Sequence, residues 1–196
     1  MLIAKEPFET EMEFRRSRFI ACLFPGTDYK YMQESLRSRH PKSTHVVYAY
    51  RRLLKNGQIE EGSSDDGEPK GCAGTPVLRV LRGRDLIDST LLVVRYFGGI
   101  KLGTGGMVRA YSDVANRLLE LSVLHTYVKT REITLSTSYS KLRMMEYLIS
   151  IHSIKEYKRS FCDTCVEWSI SIPLERFEEL EEIFETVAAG DDTKSL

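Results

Sequence analysis

Apolar positions along this chain recur with two spacings, alternating in some stretches and falling every third or fourth residue in others, and the switches between them mark out the elements. Phe19 to Leu23 is a short apolar run entered from a basic turn at Arg15, Arg16 and Arg18 and closed by Pro25-Gly26, which predicts a strand within Phe14 to Phe24. Asp28 can cap a helix running to Arg39, with Tyr31, Met32, Ser35 and Leu36 on one side and His40-Pro41 as its stop. Thr44 to Leu54 reads as a second strand, followed by turn chemistry at Lys55-Asn56-Gly57-Gln58. Gly62 to Pro76 holds four glycines, two prolines and three acids, and so predicts a long loop. Val77 to Leu81 and Leu91 to Phe97 read as two more strands. Met107, Tyr111, Val114, Leu118 and Leu121 then recur at helical spacing, giving a helix with one buried face.

The alternation restarts after Arg131. Glu132 to Thr137 predicts a strand with Ile133 and Leu135 inward, and Ser140 can cap a helix to Ser150 that buries Leu142, Met145, Leu148 and Ile149. Ile154 to Phe161 and Val166 to Ile172 form a hairpin in which Val166, Trp168, Ile170 and Ile172 share a face. Beyond Pro173, Leu174, Phe177, Leu180, Phe184 and Val187 trace a last helix. This βαββα order is the start of a ferredoxin-like unit, although no final strand is evident in Gly190 to Leu196.

The order of elements gives an α+β, two-domain chain, with an N-terminal domain over residues 1–128 and a ferredoxin-like domain over 129–196. In the first, a mainly antiparallel sheet is expected to carry its helices on one face. Charge supports the division: up to Thr130 there are 20 Lys/Arg against 15 Asp/Glu, and from Arg131 onward 8 against 13, so a net charge of zero hides halves of opposite sign. That excess is a modest pointer to nucleic acid or an acidic partner. At 196 residues and 42% hydrophobic content the chain can build a core, and no apolar run approaches the roughly 20 residues that span a bilayer. The N-terminus lacks the basic and apolar regions of a signal peptide, and four cysteines are scattered through the chain, which together predict a cytoplasmic, reduced setting.

Candidate chemistry concentrates in Val93 to Tyr111. Gly98, Gly99, Gly103, Gly105 and Gly106 fall within nine residues, between a strand and a helix. The helix start offers free amides, and Lys101 and Arg109 flank it, so this is a seat for an anion such as phosphate; alternatively the glycines only let the loop pack closely on the sheet. The spacing is neither a Walker loop nor GxGxxG. Asp65, Asp66 and Glu68 could serve a divalent metal or act as acid and base, or be solvated turn acids and capping groups. Cys162-x-x-Cys165 lies in a hairpin turn rather than at a helix start, and no second ligand pair completes a zinc site. The histidines have no spacing partners and read as structural or surface groups.

Four stretches, RSRFIA (Arg16 to Ala21), THVVYAY (Thr44 to Tyr50), SDDGEPKGCAGTP (Ser64 to Pro76) and VVRYFGGIKLGTGGMVRAYSDVA (Val93 to Ala115), together resemble the YigZ/IMPACT family. The resemblance implies an N-terminal domain like domain four of elongation factor G and a C-terminal one like its domain five. It also implies a link to translation control, with no established reaction. Two departures are visible: Cys72 stands where the family pattern has threonine, and Val47 where bacterial relatives often have cysteine, so no nucleophile is available at that position.

The expected function is a non-enzymatic, cytoplasmic binding protein, without cofactor or metal. It would contact RNA, the ribosome or a translation-associated protein through Arg15, Arg16, Arg18, Arg95, Lys101 and Arg109 around the glycine loop. The competing expectation is a small hydrolase or phosphate-ligand enzyme using Asp65, Asp66 and Glu68. A third is a scaffold that pairs through an open sheet edge of the C-terminal domain.

Overall fold

The computed structural model describes residues 1–189, which form two compact units dividing between Tyr127 and Val128. The stretch from Gly190 to Leu196, where no last strand is expected, lies outside the described residues.

In the N-terminal unit the elements are β1 (Leu2–Ala4), β2 (Phe8–Phe14), β3 (Ser17–Pro25), α1 (Tyr29–Arg39), β4 (His45–Leu53), β5 (Ile59–Ser64), α2 (Gly74–Gly83), β6 (Ser89–Tyr96), α3 (Gly103–Leu121) and β7 (Leu124–Thr126). An antiparallel five-stranded sheet runs β2-β3-β6-β4-β5, and β1 pairs with β7 in a small separate sheet. Both faces of the large sheet are covered, which corrects the one-sided arrangement expected from sequence. Phe19, Ala21, Leu23, Val47, Ala49, Leu91 and Val93 pack toward α2 and α3. The alternate residues Ile20, Cys22, Val46, Leu92 and Val94 pack against Leu36 of α1. A strand buried on both faces reads as a continuous apolar run, and β6 is buried from Ser89 to Arg95.

The stretch Val77 to Leu81 is helical, not a strand. Gly74, Pro76, Val77, Leu78, Val80 and Leu81 are its buried residues, so β-branched composition gave way to tertiary packing on the sheet. Pro76 is tolerated because the first turn needs no intrahelical donor. The glycine-rich loop is correspondingly short. Gly62 to Ser64 belong to β5 and Gly74 to Pro76 to α2, leaving residues 65–73 irregular. Sequence also passed over β2, whose Thr10, Met12 and Phe14 alternate with Glu9, Glu11 and Glu13. Asp28 caps α1 as expected, accepting from the Tyr31 amide at 3.3 Å, and His40 closes it with a bond to the Leu36 carbonyl at 2.8 Å. Along α3, Met107, Ala110, Tyr111, Val114, Ala115, Leu118 and Leu119 are buried, whereas Leu121 at the end of the stripe is 53% exposed. Each large apolar side chain buried here stabilises by about 1.5–3 kcal/mol, which anchors the helix whose first turn forms part of the site.

The C-terminal unit consists of β8 (Thr130–Thr137), α4 (Leu142–Ile151), β9 (Tyr157–Phe161), β10 (Val166–Pro173) and α5 (Phe177–Ala189). Its sheet order is β8-β10-β9, with β10 antiparallel to both neighbours, so β8 and β9 run parallel on either side of it. Trp168, Ile170, Ile172, Met145, Leu180 and Phe184 fill the core, and the indole N–H of Trp168 donates to Thr137 at 2.9 Å. Ser140 does not cap α4; it sits in a 3₁₀ turn, where its hydroxyl bonds that of Ser138.

Candidate nucleic-acid interface at one end of the sheet

The motifs that stand out in the sequence are far apart in the chain and meet in space. Arg18 is opposite Tyr96 and His45 opposite Arg95, so the start of β3, the start of β4 and the end of β6 share one end of the large sheet. The β2–β3 hairpin tip, the loop 65–73 and the glycine loop leading into α3 all lie at that end.

Arg15 and Arg16 make the two-residue tip between Phe14 and Ser17, and both have positive φ, +47° and +64°. This is the geometry that Asn-Gly normally supplies, because it matches the twist of the strands. The backbone of Arg16 lies directly against Gly98, where a β-carbon would come within 2.0 Å of the Arg16 carbonyl. The Gly98 amide donates to the Ser17 hydroxyl at 3.2 Å. Close packing is therefore the physical role of Gly98. Gly99 and Gly103 have φ of +83° and +69° and turn the loop into α3. Gly105 is different: it is exposed, is helical, and has open space where a side chain would be.

Among the described residues no side chain caps α3, and no acid lies in its first turn, where Gly103, Thr104 and Gly105 are exposed. The neighbouring helix shows what such amides hold. At α2 the carboxylate of Asp65 accepts from the amides of Ala73 and Gly74 at 3.0 and 2.8 Å and from that of Gly71 at 2.7 Å. An anion thus occupies the glycine-led start of α2, while that of α3 faces solvent. Arg15, Arg16, Lys101 and Arg109 are exposed and have no acidic partner among the described residues. Arg109 is six residues into α3, about 9 Å along its axis, and so flanks the helix rather than its tip.

Two of the expected cations are engaged elsewhere. Arg18 bonds Glu11 across the β2–β3 pair, which raises its pKa above the usual guanidinium value. Arg95 is buried: it pairs with Glu68 at 2.5 Å, its guanidinium lies 5.5 Å from the Phe19 ring centroid, and its Nε has no hydrogen-bond partner among the described residues. Its charge is thus neutralised within the fold and is not presented to a surface ligand.

The three acids also have protein partners. Asp65 caps α2 as described. Asp66 accepts from the Val46 amide and pairs with Arg37, while its carbonyl meets His45 Nδ1 at 2.7 Å. Glu68 takes the Arg95 charge and the Tyr111 hydroxyl, the latter at 2.8 Å, with His45 Nε2 3.9 Å away. Burial, reinforced by the Glu68 charge, raises the Tyr111 pKa, so this phenol remains a donor. All three carboxylates are therefore committed to donors of the protein itself. An open cleft of about 410 Å³ lies on the α1 side, lined in part by Phe8, Glu9, Cys22, Phe24, Met32 and Arg39, toward the other end of β2.

Sequence reasoning places Tyr111 on a buried stripe and His45 among structural or surface histidines, and gives Phe97 and Thr44 no part in the site. Phe97 is 50% exposed beside the glycine loop, with its amide held by the Thr44 hydroxyl at 3.1 Å and its ring 5.8 Å from the Arg95 guanidinium. One signal was available: a charge inside the apolar run of β6, a tyrosine on the buried stripe of α3 and an acid in the intervening loop each need a buried partner.

Comparison with known proteins bears on the same residues. A family profile described as the Impact N-terminal domain matches residues 15–119. An IMPACT family member of Haemophilus influenzae is 33% identical over 163 residues, covering 82% of this chain and 79% of its own. The IMPACT family member YigZ of Escherichia coli is 38% identical over 152 residues, 76% of this chain and 74% of its own. A crystal structure described only as that of a hypothetical protein superposes with a TM-score of 0.67 at 32% identity, over 97% of this chain and 93% of the other. The matched residues 15–119 include the arginine turn, the loop 65–73 and the glycine loop.

Proposed function

The chain belongs to the IMPACT family, and from that premise we propose that its N-terminal unit binds RNA, as a non-enzymatic component of translation control in the cytoplasm. The observation that carries this reading is the uncapped, exposed start of α3 set against the Arg15–Arg16 turn. Backbone amides at a helix start attract phosphate through their partial positive charge, and the dipole contributes about 0.3–2 kcal/mol per anion. That is too little to hold a free ion tightly, but it adds to salt-dependent contacts along a polynucleotide. Arg15, Arg16, Lys101 and Arg109 supply such contacts, which position a backbone without reading its sequence. Engagement of Asp65, Asp66 and Glu68 by protein donors weighs against the hydrolytic alternative. We also take residues 1–128 as a domain resembling domain four of elongation factor G, and 129–196 as a ferredoxin-like domain. Support for the second comes from its βαββα order, with β10 between parallel β8 and β9.

The test uses the full chain, a labelled single-stranded RNA and fluorescence anisotropy across a salt series. Alanine at both Lys101 and Arg109 is expected to weaken binding several-fold and to reduce the slope of log K against log salt by about 0.7 for each phosphate left without its cation. Thermal stability should be nearly unchanged, since both side chains are exposed. Equal affinity and slope in the variant, or no RNA binding by the parent protein, would overturn the proposal.

A further inference from the structure

The pair Cys162 and Cys165 plays no part in the RNA-binding reading. Phe161 is registered opposite Val166, so the two cysteines are the next facing positions at the tip of the β9–β10 hairpin. The Cys162 amide donates to the Cys165 carbonyl at 2.9 Å. Facing residues of an antiparallel pair hold their α-carbons about 4.5–5.5 Å apart, within the window of about 4.4–6.8 Å that a disulfide spans. Both thiols are free and neither is buried, and only the exposed Asp163 and Thr164 intervene. The tip is held in shape: the Tyr139 hydroxyl donates to the Cys162 carbonyl, and the Tyr139 ring stacks on Phe161 with centroids 6.3 Å apart. A bridge here requires no shift of register, because the strands behind it are fixed by the buried Val166 and Trp168. Cys22 and Cys72, by contrast, are 1% and 8% exposed.

We propose that Cys162 and Cys165 form a thiol–disulfide exchange site, a dithiol that reduces low-molecular-weight disulfides and is closed in turn into a bridge across the hairpin tip. In the first step the thiolate of one cysteine attacks a sulfur of glutathione disulfide. A mixed disulfide forms, the glutathione S–S bond breaks, and the released glutathione thiolate takes up the proton that the cysteine gave to solvent. The second cysteine, as thiolate, then attacks the protein-side sulfur of the mixed disulfide. The Cys162–Cys165 bond forms, and the second glutathione leaves and is protonated in the same way. Two electrons pass from the dithiol to glutathione disulfide, and no further reactant is required. Hydrogen bonding with Cys165, then burial, raises the Cys162 pKa above the ordinary thiol value. Exchange is accordingly slow at neutral pH and accelerates as pH rises.

The test incubates the reduced full chain with excess glutathione disulfide at mildly alkaline pH. Samples are acid-quenched, alkylated and mapped by mass spectrometry, with Trp168 fluorescence and circular dichroism confirming the fold. The expected product is a peptide carrying Cys162 and Cys165 lighter by two hydrogens and free of glutathione, with Cys22 and Cys72 unmodified. Cys162→Ser and Cys165→Ser should each stop at a stable glutathione adduct on the remaining cysteine. A parent protein that stays reduced, or that accumulates the mixed disulfide as its end product, would refute the assignment.

Discussion

Replacing Glu68 with glutamine removes one charge from a buried pair while keeping an acceptor of the same shape for Tyr111. The two side chains are 4% and 6% exposed and meet at 2.5 Å, so neither charge has water to fall back on. At an effective dielectric constant near 20, two unit charges about 4 Å apart attract by about 4 kcal/mol. Breaking such a pair by deleting one partner costs about 3–5 kcal/mol, because the survivor is left buried and uncompensated. The surviving Arg95 already has an unpartnered Nε, which leaves little slack for relaxation. We therefore expect Glu68→Gln to destabilise the N-terminal unit by about 3 kcal/mol. Urea denaturation followed by far-ultraviolet circular dichroism reads this directly. The sole tryptophan, Trp168, sits in the C-terminal core, so its fluorescence reports the other unit and separates the two transitions. Adding Arg95→Met should recover part of the loss, because an apolar pair leaves no unpaired charge. A Glu68→Gln transition within about 0.5 kcal/mol of the parent, a shift typical of neutral surface changes, would show that the pair contributes no such term.

The glycine loop makes a paired prediction. Gly98→Ala, which drives a β-carbon to 2.0 Å from the Arg16 carbonyl, should cost about 3 kcal/mol or more in the same denaturation assay. Gly105→Ala, with open space around it and a helical backbone, should stabilise by about 1 kcal/mol yet weaken RNA binding by crowding the helix start. The acid limb of stability supplies a third. Glu61 is bonded by Arg82 and Arg51, and the Arg82 bond is the main reason its pKa falls below the ordinary glutamate value of 4.5. A depressed carboxylate stabilises the fold above its unfolded pKa and loses that contribution as pH falls through the folded one. Thermal unfolding of Glu61→Gln against the parent should thus show a stability difference near pH 6 that shrinks steadily below about 4.5; a difference independent of pH would remove the carboxylate from the account.

How much of this was legible in sequence depended on whether the signal was local. The α1 cap at Asp28, the buried stripe of α3 and the alternation of β10 are local and were read directly. Val77 to Leu81 misled because a short apolar run is equally a buried strand or a buried helix turn, and Asp65, eight residues before Ala73, decides the matter by capping the amides. The helix on the second face of the sheet was hidden for a related reason. In Phe19 to Leu23 both sets of alternate residues are apolar, so periodicity cannot show which neighbours cover them. At the site, the exposed cations Arg15, Arg16, Lys101 and Arg109 could be named in advance. The engagement of Arg95 by Glu68 could not, since the two are 27 positions apart and the pairing exists only in the fold.

The places where this chain departs from local rules are not scattered evenly. Among the described residues, six non-glycine positions have positive φ: Arg15, Arg16, Asp66, Asp85, Asp88 and Ser153. Asp85 and Asp88 have ready explanations: aspartate tolerates this region, Asp85 pairs with the N-terminal amine at 3.0 Å, and Asp88 accepts the Leu53 amide at 2.9 Å. Neither explanation extends to Arg15 and Arg16. An arginine gains nothing in this conformation, which costs about 1–2 kcal/mol per residue, and the hairpin would be less strained with Asn-Gly. Beside them stand a helix start without a cap, a solvent-facing glycine in a helix, and an exposed phenylalanine. Each departure lowers stability on its own, and under the RNA-binding function proposed above the first three would supply two cations at a fixed tip, free amides, and room for phosphate to approach. Sequences that otherwise agree with their fold break local rules mainly where function demands it. The hairpin tip, held in its strained form by the packing of Arg16 on Gly98, is accordingly the part of the RNA-binding reading least explained by folding alone.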